Sequence, residues 1–467
     1  MSSATIAITR EELAVQQEFC QRIRRYWEDR SRVPTAWVDT YGCQQNEADS
    51  EQIRGLLRSA GYHFQDEAEN ADVIVINTCA VREHAEQRVF GNIGALVHTR
   101  KRHPDQLIFV CGCMAAEKGV QERLKKSFPH VRGIFTTHHL WRLPELLWKA
   151  LSTGKRVYAL EDSAGTLCEG LPAVRSGSIK AWLSVMYGCN NFCSYCIVPY
   201  VRGRERSRSF DAVLTEAKEL VKAEYREITL LGQNVNSYGN DLSEGKDFAD
   251  LLSAAAALDG EFLLRFMSSH PKDASKKLFD TMAASDRIAK QIHLPFQSGS
   301  DRILRAMNRH YTAGHYLELV EYARSVMPSL VLTSDVIVGF PGETEEDFEE
   351  TLSLIRQVRF DSLFTFIYSP RPGTPAAALP DPDTKEIKQA RFDRLLALQN
   401  AVSEEKHAAL VGRTLRCLTD GRDGELLTAR TDGGRLVRFS GDASLIGRFV
   451  PIRITGSTTW SLTGETI

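Results

Sequence analysis

Three short apolar, β-rich runs, at residues 36–40, 73–77 and 107–111, alternate with stretches of helical periodicity at 47–59 and 83–98. Strands that alternate with helices are joined by crossovers and therefore lie parallel, so this segment is confined to an open sheet covered on both faces. Such a sheet gathers the loops that follow its strands along one carboxyl edge, where ligands bind. Each of the three runs is followed there by a cysteine: Cys43, Cys79 and Cys113. Taken singly, each thiol reads as a core residue, because free cysteine is among the most buried residue types. Repetition at three strand ends reads instead as one three-cysteine site.

The βα rhythm resumes at 181–187, 227–231, 262–268, 291–294, 331–338 and 363–368, with helical patterns at 211–222, 316–326 and 345–358. Six such units predict a curved parallel sheet, a partial (β/α)6 barrel rather than the closed eightfold one. Directly after the first of these strands comes Gly188-Cys189-Asn190-Asn191-Phe192-Cys193-Ser194-Tyr195-Cys196. Thiolates are the usual ligands of iron–sulfur clusters, and three of them leave one iron of a [4Fe–4S] cube open. A closed zinc site wants four ligands, and no fourth Cys or His stands at suitable spacing, so zinc is the lesser reading. Cys111, inside its strand and two residues from Cys113, reads as a core residue, Cys20, Cys168 and Cys417 have no partner at ligand spacing, and all four read as structural.

The flanks complete the organisation. Residues 1–32 read as an appended helix: Thr9 and Glu12 have capping-box spacing, and Val15, Phe19, Ile23 and Trp27 recur every four residues as a docking stripe. The α/β segment at 33–151 leads to a Gly-rich linker at 152–177, the second α/β domain at 178–405, and a tail at 406–467 that reads as a small all-β barrel. The whole chain is close to neutral, at -2 over 467 residues, so any nucleic-acid surface is local. Residues 412–467 carry eight Arg against six acids, and Arg202, Arg204, Arg206 and Arg208 crowd just past the cluster loop. The basic tail suits phosphate, and a solvated surface explains it equally well; the Arg run, just past the cluster loop, reads as binding phosphate or carboxylate rather than as a solvated charged turn. No apolar run approaches the ~18 residues of a membrane span, and the N-terminus lacks a secretory pattern, so the expected setting is the cytoplasm. No Walker loop, Ser-His-Asp set or zinc-protease helix supports hydrolytic or nucleotide chemistry.

A C-x3-C-x-aromatic-C loop opening a βα array resembles the radical S-adenosylmethionine (SAM) enzymes, with Tyr195 as the aromatic residue. The resemblance implies that SAM chelates the open iron and is cleaved by one electron to a 5′-deoxyadenosyl radical. It marks Tyr195, Gln233, Gln297, Gly339 and Phe340 as cofactor contacts. Gln233 stands in Leu231-Gly232-Gln233-Asn234, where that superfamily usually has Gly-Gly-Glu.

The N-terminal motifs around Tyr41-Gly42-Cys43-Gln44, Asn77-Thr78-Cys79-Ala80-Val81-Arg82 and Cys111-Gly112-Cys113-Met114-Ala115 resemble the methylthiotransferases. That family joins such a domain to a radical SAM domain and a C-terminal TRAM barrel that binds RNA. The resemblance implies two [4Fe–4S] clusters, one on Cys189, Cys193 and Cys196 and an auxiliary one on Cys43, Cys79 and Cys113. It implies a tRNA partner, touched by Arg202, Arg204, Arg435 and Arg438, and an electron donor such as flavodoxin or ferredoxin. Tyr41-Gly42-Cys43-Gln44 and Leu231-Gly232-Gln233-Asn234-Val235-Asn236-Ser237-Tyr238 are similar to the branch that methylthiolates N6-isopentenyl adenosine beside the anticodon. Sibling branches act on threonylcarbamoyl adenosine or on a ribosomal-protein aspartate. The same motifs leave open a radical SAM methyltransferase without sulfur insertion, or a non-catalytic RNA-binding protein. Reconstituted protein is expected to carry about eight iron per chain, two cubes' worth. Iron analysis of the Cys43/Cys79/Cys113→Ala variant checks this, with a fall to about four expected.

Overall fold

The computed structural model describes residues 6–80, 83–161 and 165–467; Val81 and Arg82 of the second cysteine motif lie outside them. Two compact units divide the chain. The first comprises residues 1–176, 184–190 and 197–208, and the second residues 177–183, 191–196 and 209–467.

The first unit is built on six strands in the order His63–Phe64, Thr35–Thr40, Val73–Thr78, Leu107–Gly112, Val131–Phe135 and Val157–Ala159. Every neighbouring pair is parallel. The two inner strands are buried at each residue, which is why their sequences run apolar without alternation. Successive side chains point to opposite faces. Val73, Val75 and Phe109 pack beneath Ile53, Leu57, Leu143 and Leu147 of two helices, while Ile74, Ile76, Ile108 and Val110 meet Val89, Phe90, Ile93 and Leu124 on the other side.

The helix Arg10–Glu28 starts in the expected capping box, with Glu12 N–H on Thr9 Oγ1 (3.2 Å) and Thr9 N–H on the Glu12 carboxylate (2.8 Å). Its buried stripe differs from the predicted one. Gln16, Cys20, Ile23 and Trp27 face the domain, and Val15 is 46% exposed. At 3.6 residues per turn a strict four-residue repeat winds around the helix, so its two ends cannot face one surface. The Gly-rich segment is likewise not a free connector. Val157–Ala159 is the sheet's sixth strand, and Thr166–Leu167 pairs with Ile6–Ala7. Further on, Val174 N–H and Ser176 N–H donate to the Glu51 carbonyl and carboxylate at 2.8 and 2.9 Å. Gly55 sits where this segment crosses its helix; a Cβ there would lie 1.9 Å from the Pro172 carbonyl oxygen.

In the second unit two three-stranded sheets follow one another. Leu263–Phe266, Glu227–Leu231 and Lys180–Ser184 form one, and Gln291–His293, Val331–Val338 and Ser362–Ile367 the other. A parallel bridge between Leu264 and Ile288 joins them into the expected six-stranded open array. The predicted strand at 181–187 breaks at Val185, and Met186–Tyr187, part of the first unit, pairs antiparallel with Arg206–Ser207.

The tail closes a five-stranded barrel around Cys417, Leu427, Ala429, Val437, Phe439, Ile452 and Leu462. Its strands Thr414–Asp423 and Leu462–Thr466 escape the sequence pattern. Within the unit, Arg265 donates to the Thr431 and Asp432 carbonyls (3.0 and 2.8 Å), and Lys180 pairs with Asp420 at 2.6 Å. Among the described residues, no helix is long and apolar enough to cross a membrane. Trp27→Ala is expected to destabilise the first unit by about 3–5 kcal/mol, against under about 0.5 for Val15→Ala, measured by denaturant unfolding.

Candidate active site

Register brings the first cysteine set together. Thr40 pairs with Asn77 and Asn77 with Cys111, so three neighbouring strands end in one row. Cys43, Cys79 and Cys113 lie two or three residues beyond that row, Cys43 exposed and the other two buried, all as free thiols.

A closed polar network holds their loops. Asn46 Nδ2 donates to Asn77 Oδ1 (3.2 Å) and to the Thr78 carbonyl (3.1 Å), and its own Oδ1 accepts from the Cys43 N–H at 3.4 Å. Asn77 Nδ2 returns to the Asn46 carbonyl (2.8 Å) and to Ser50 Oγ (3.0 Å), while Cys113 N–H also reaches the Thr78 carbonyl at 2.9 Å. Gly112 has φ +96°, and a Cβ there would meet that carbonyl oxygen at 2.2 Å, so only glycine fits the turn.

Burial pushes the Cys113 thiol up to about 12; Arg202 pulls it back, while Cys79, Cys43 and Asp49 add to the rise. Cys79 and Cys43 both lie within electrostatic reach of the Cys113 thiol. Among the described residues no three His, Cys, Asp or Glu side chains are gathered closely enough for a single metal ion. A set of three thiolates is the ligand set that leaves one iron of a [4Fe–4S] cube open.

Arg202 itself corrects an expectation. It is 4% exposed, with its guanidinium on Asp49 (2.8 Å) and on Cys113 Sγ (3.1 Å), so it is not a phosphate contact. Its neighbours Arg206 and Arg208 are buried as well, the latter on Glu169 and the Ser184 carbonyl at 2.8 Å; Arg204 remains exposed. In the barrel, Arg435 pairs with Asp361 and is likewise committed, whereas Arg438 meets Asp423 at 2.8 Å on the surface.

In the second unit the loop at 191–196 is anchored by the end of the helix Asp301–Ala306 and the turn that follows it. Ser194 bonds the Met307 and Ala306 carbonyls at 3.0 and 2.8 Å, and Asn308 Nδ2 donates to the Asn191 and Phe192 carbonyls at 3.2 and 2.9 Å. Arg309 donates to Cys193 Sγ at 3.3 Å. Tyr195 packs in one apolar cluster with Ile303, Met307, Phe340 and Tyr368. Gln297 bonds through its backbone to Asp335 and Ile337 on the strand that leads to Gly339, which has φ +71°. Gln233 follows the strand Glu227–Leu231 and is half-buried.

Phe192, Ser268, Gln297, Asn308 and His310 all adopt positive φ without being glycine. Such strain persists where surroundings over-determine the backbone, and it clusters at functional sites. Asn234 Oδ1, Ser269 Oγ, His270 Nε2, Gln297 Oε1 and Tyr368 Oη are buried without hydrogen-bond partners, all just past strand ends. Unmet donors and acceptors along that edge fit a polar cofactor such as SAM. His270, which no sequence signal marked, accepts the Lys272 N–H on Nδ1 (3.2 Å), so its neutral ring offers Nε2–H. Burial, reinforced by Arg309 and Lys272, keeps its pKa far below the usual imidazole range.

The fold is that of a radical SAM protein extended by an α/β domain and a β-barrel. Residues 183–355 match the radical SAM superfamily, 35–136 the uncharacterized protein family UPF0004, and 408–467 the TRAM domain. The fold resembles that of the radical SAM methyltransferase TsrM from Kitasatospora setae, with TM-score 0.54 and 15% identity over 73% of this chain and 75% of that one. It also resembles the cobalamin-dependent radical SAM enzyme OxsB, with TM-score 0.52 and 13% identity over 80% of this chain and 56% of that one.

The tRNA-2-methylthio-N(6)-dimethylallyladenosine synthase of Thermoanaerobacter sp. (strain X514) is 46% identical over 99% of this chain and 98% of its own. That of Pelotomaculum thermopropionicum is 47% identical over 91% and 96%. The chain belongs to this family, the MiaB-type tRNA-2-methylthio-N(6)-dimethylallyladenosine synthases. Asn46→Ala, which opens the network beneath the cysteine loops, is expected to lower stability by about 1–3 kcal/mol, read from the shift in denaturant midpoint.

Proposed function

We propose that this chain is a tRNA methylthiotransferase that converts N6-dimethylallyladenosine next to the anticodon, at tRNA position 37, into its 2-methylthio derivative. The observation that supports this reading is the presence, in one chain, of two separate three-cysteine sets, one following three neighbouring parallel strands and the other in the C-x3-C-x2-C loop. Cys189, Cys193 and Cys196 would hold one [4Fe–4S] cluster, and Cys43, Cys79 and Cys113 the auxiliary one. When bound, SAM and the two clusters supply the radical, the sulfur and the methyl group.

The protein's own part is to orient and to exclude water. Tyr195, Phe340 and their apolar neighbours would form a dry wall for the cofactor, with Gln233, Gln297 and the Gly339 turn presenting polar groups at its rim. Arg204 and Arg438, with the surface of the barrel, would contact phosphates while the modified base is unstacked. Residues 33–151, 178–405 and 406–467 would be the auxiliary-cluster, radical SAM and TRAM domains. A cytoplasmic one-electron donor such as flavodoxin or ferredoxin would complete the system.

The test is anaerobic turnover with SAM and dithionite on tRNA carrying the isopentenyl base, followed by nucleoside mass spectrometry. A gain of about 46 mass units is expected; about 14 would mark a methyltransferase. Equal turnover of threonylcarbamoylated tRNA would show the substrate assignment to be wrong.

A further inference from the structure

Each cysteine set has a buried arginine on one of its sulfurs. In the first unit Arg202 Nε–H donates to Cys113 Sγ at 3.1 Å, and in the second Arg309 Nη1–H donates to Cys193 Sγ at 3.3 Å. Both arginines are 4% exposed. Their other partners differ in kind. Arg202 Nη2 pairs with Asp49 Oδ2 at 2.8 Å, and Gln45 Nε2 holds the other carboxylate oxygen at 3.2 Å. That positive charge is cancelled on the spot. Arg309 meets only neutral oxygens, the Tyr311 hydroxyl at 3.1 Å and the Pro295 carbonyl at 2.8 Å. Among the described residues no carboxylate lies within ion-pair distance of it.

The placement of Arg309 is also held against strain. Its neighbours Asn308 and His310 both adopt left-handed conformations, φ +58° and +55°, and Asn308 ties this turn to the cysteine loop. A buried, uncompensated charge is screened far less than one in water. Reducing a cluster adds one negative charge to it, and its potential follows the local net charge and the hydrogen bonds to its sulfurs.

Resting on the two-cluster reading above, we propose that Arg309 and Arg202 are positioning residues that hold the two clusters at different reduction potentials. Arg309 raises the potential of the cluster ligated by Cys193. Arg202, neutralised by Asp49, leaves the cluster ligated by Cys113 lower. With both clusters bound, the uncompensated charge of Arg309 would favour an added electron beside Cys193 over one beside Cys113, where Asp49 cancels Arg202. The asymmetry lies in one carboxylate, Asp49, present beside one arginine and absent beside the other.

The experiment is a redox titration of the reconstituted full chain, followed by electron paramagnetic resonance. Signals are assigned with variants in which each cysteine triad is replaced by Ala. Arg309→Met is expected to weaken reduction of the radical cluster at least tenfold, a fall of about 59 mV for a one-electron couple. Arg309→Lys, which keeps the charge, should retain most of the wild-type potential. Asp49→Asn, nearly isosteric, should shift the auxiliary cluster upward and leave the other unmoved. The lysine and asparagine variants decide the matter if the methionine variant does not fold. With about eight iron bound, unshifted midpoints in these variants overturn the arginine assignment alone. A wild-type protein that binds only about four iron overturns the two-cluster reading instead.

Discussion

Parallel pairing is the constraint on which the first unit rests. Neighbouring strands stand about 4.8 Å apart, so three consecutive ones present three loops side by side. The row Thr40–Asn77–Cys111 converts residues far apart in sequence into one edge, and the cysteines follow it at nearly equal offsets. A slip of one residue in either pairing would move a thiol to the wrong height and face. The Asn46–Asn77–Ser50 network holds that edge, with all three side chains buried and hydrogen-bonded to one another's loops. Closed networks of this kind make a buried polar cluster rigid, whereas a half-satisfied one weakens it.

The second unit treats its strand ends in the opposite way. There the polar groups of Asn234, Ser269, His270 and Gln297 are left with unmet atoms, and several residues are held at positive φ. Both features lower stability unless something is gained on binding. The loops beneath Cys43, Cys79 and Cys113 are thus held largely by their own side chains, whereas the strand ends of the second unit carry more unmet polar atoms and backbone strain.

Arginine illustrates how little composition says about role. Of the run from Arg202 to Arg208, only Arg204 is exposed, and the others serve Asp49, Glu169 and backbone carbonyls. In the tail, Arg435 pairs with Asp361, which Lys406 also approaches at 3.0 Å. Counting basic residues therefore overstates how much positive charge reaches the surface.

Much of this molecule is legible in the chain itself. The strands Glu227–Leu231 and Val331–Val338 and the helix Glu345–Val358 follow from local periodicity, because apolar spacing over a few residues decides which face is buried. The cysteine spacing and the strand-end placement of Cys43, Cys79 and Cys113 likewise need only the order of residues. Periodicity finds the N-terminal helix and the Ile23–Trp27 half of its buried stripe but not the half at Gln16 and Cys20, since the choice of face depends on what the helix docks against. Arg309 carries no local signal at all: its meaning comes from a sulfur 116 residues away. Arg202 stands out in the sequence only for its charge, and it is reassigned by Asp49 and Cys113, which lie 153 and 89 residues away. Sequence alone determined the elements and the chemistry they carry, because those depend on neighbours along the chain. Tertiary structure alone decided register, burial and which charge meets which partner, because those depend on residues that only folding brings together.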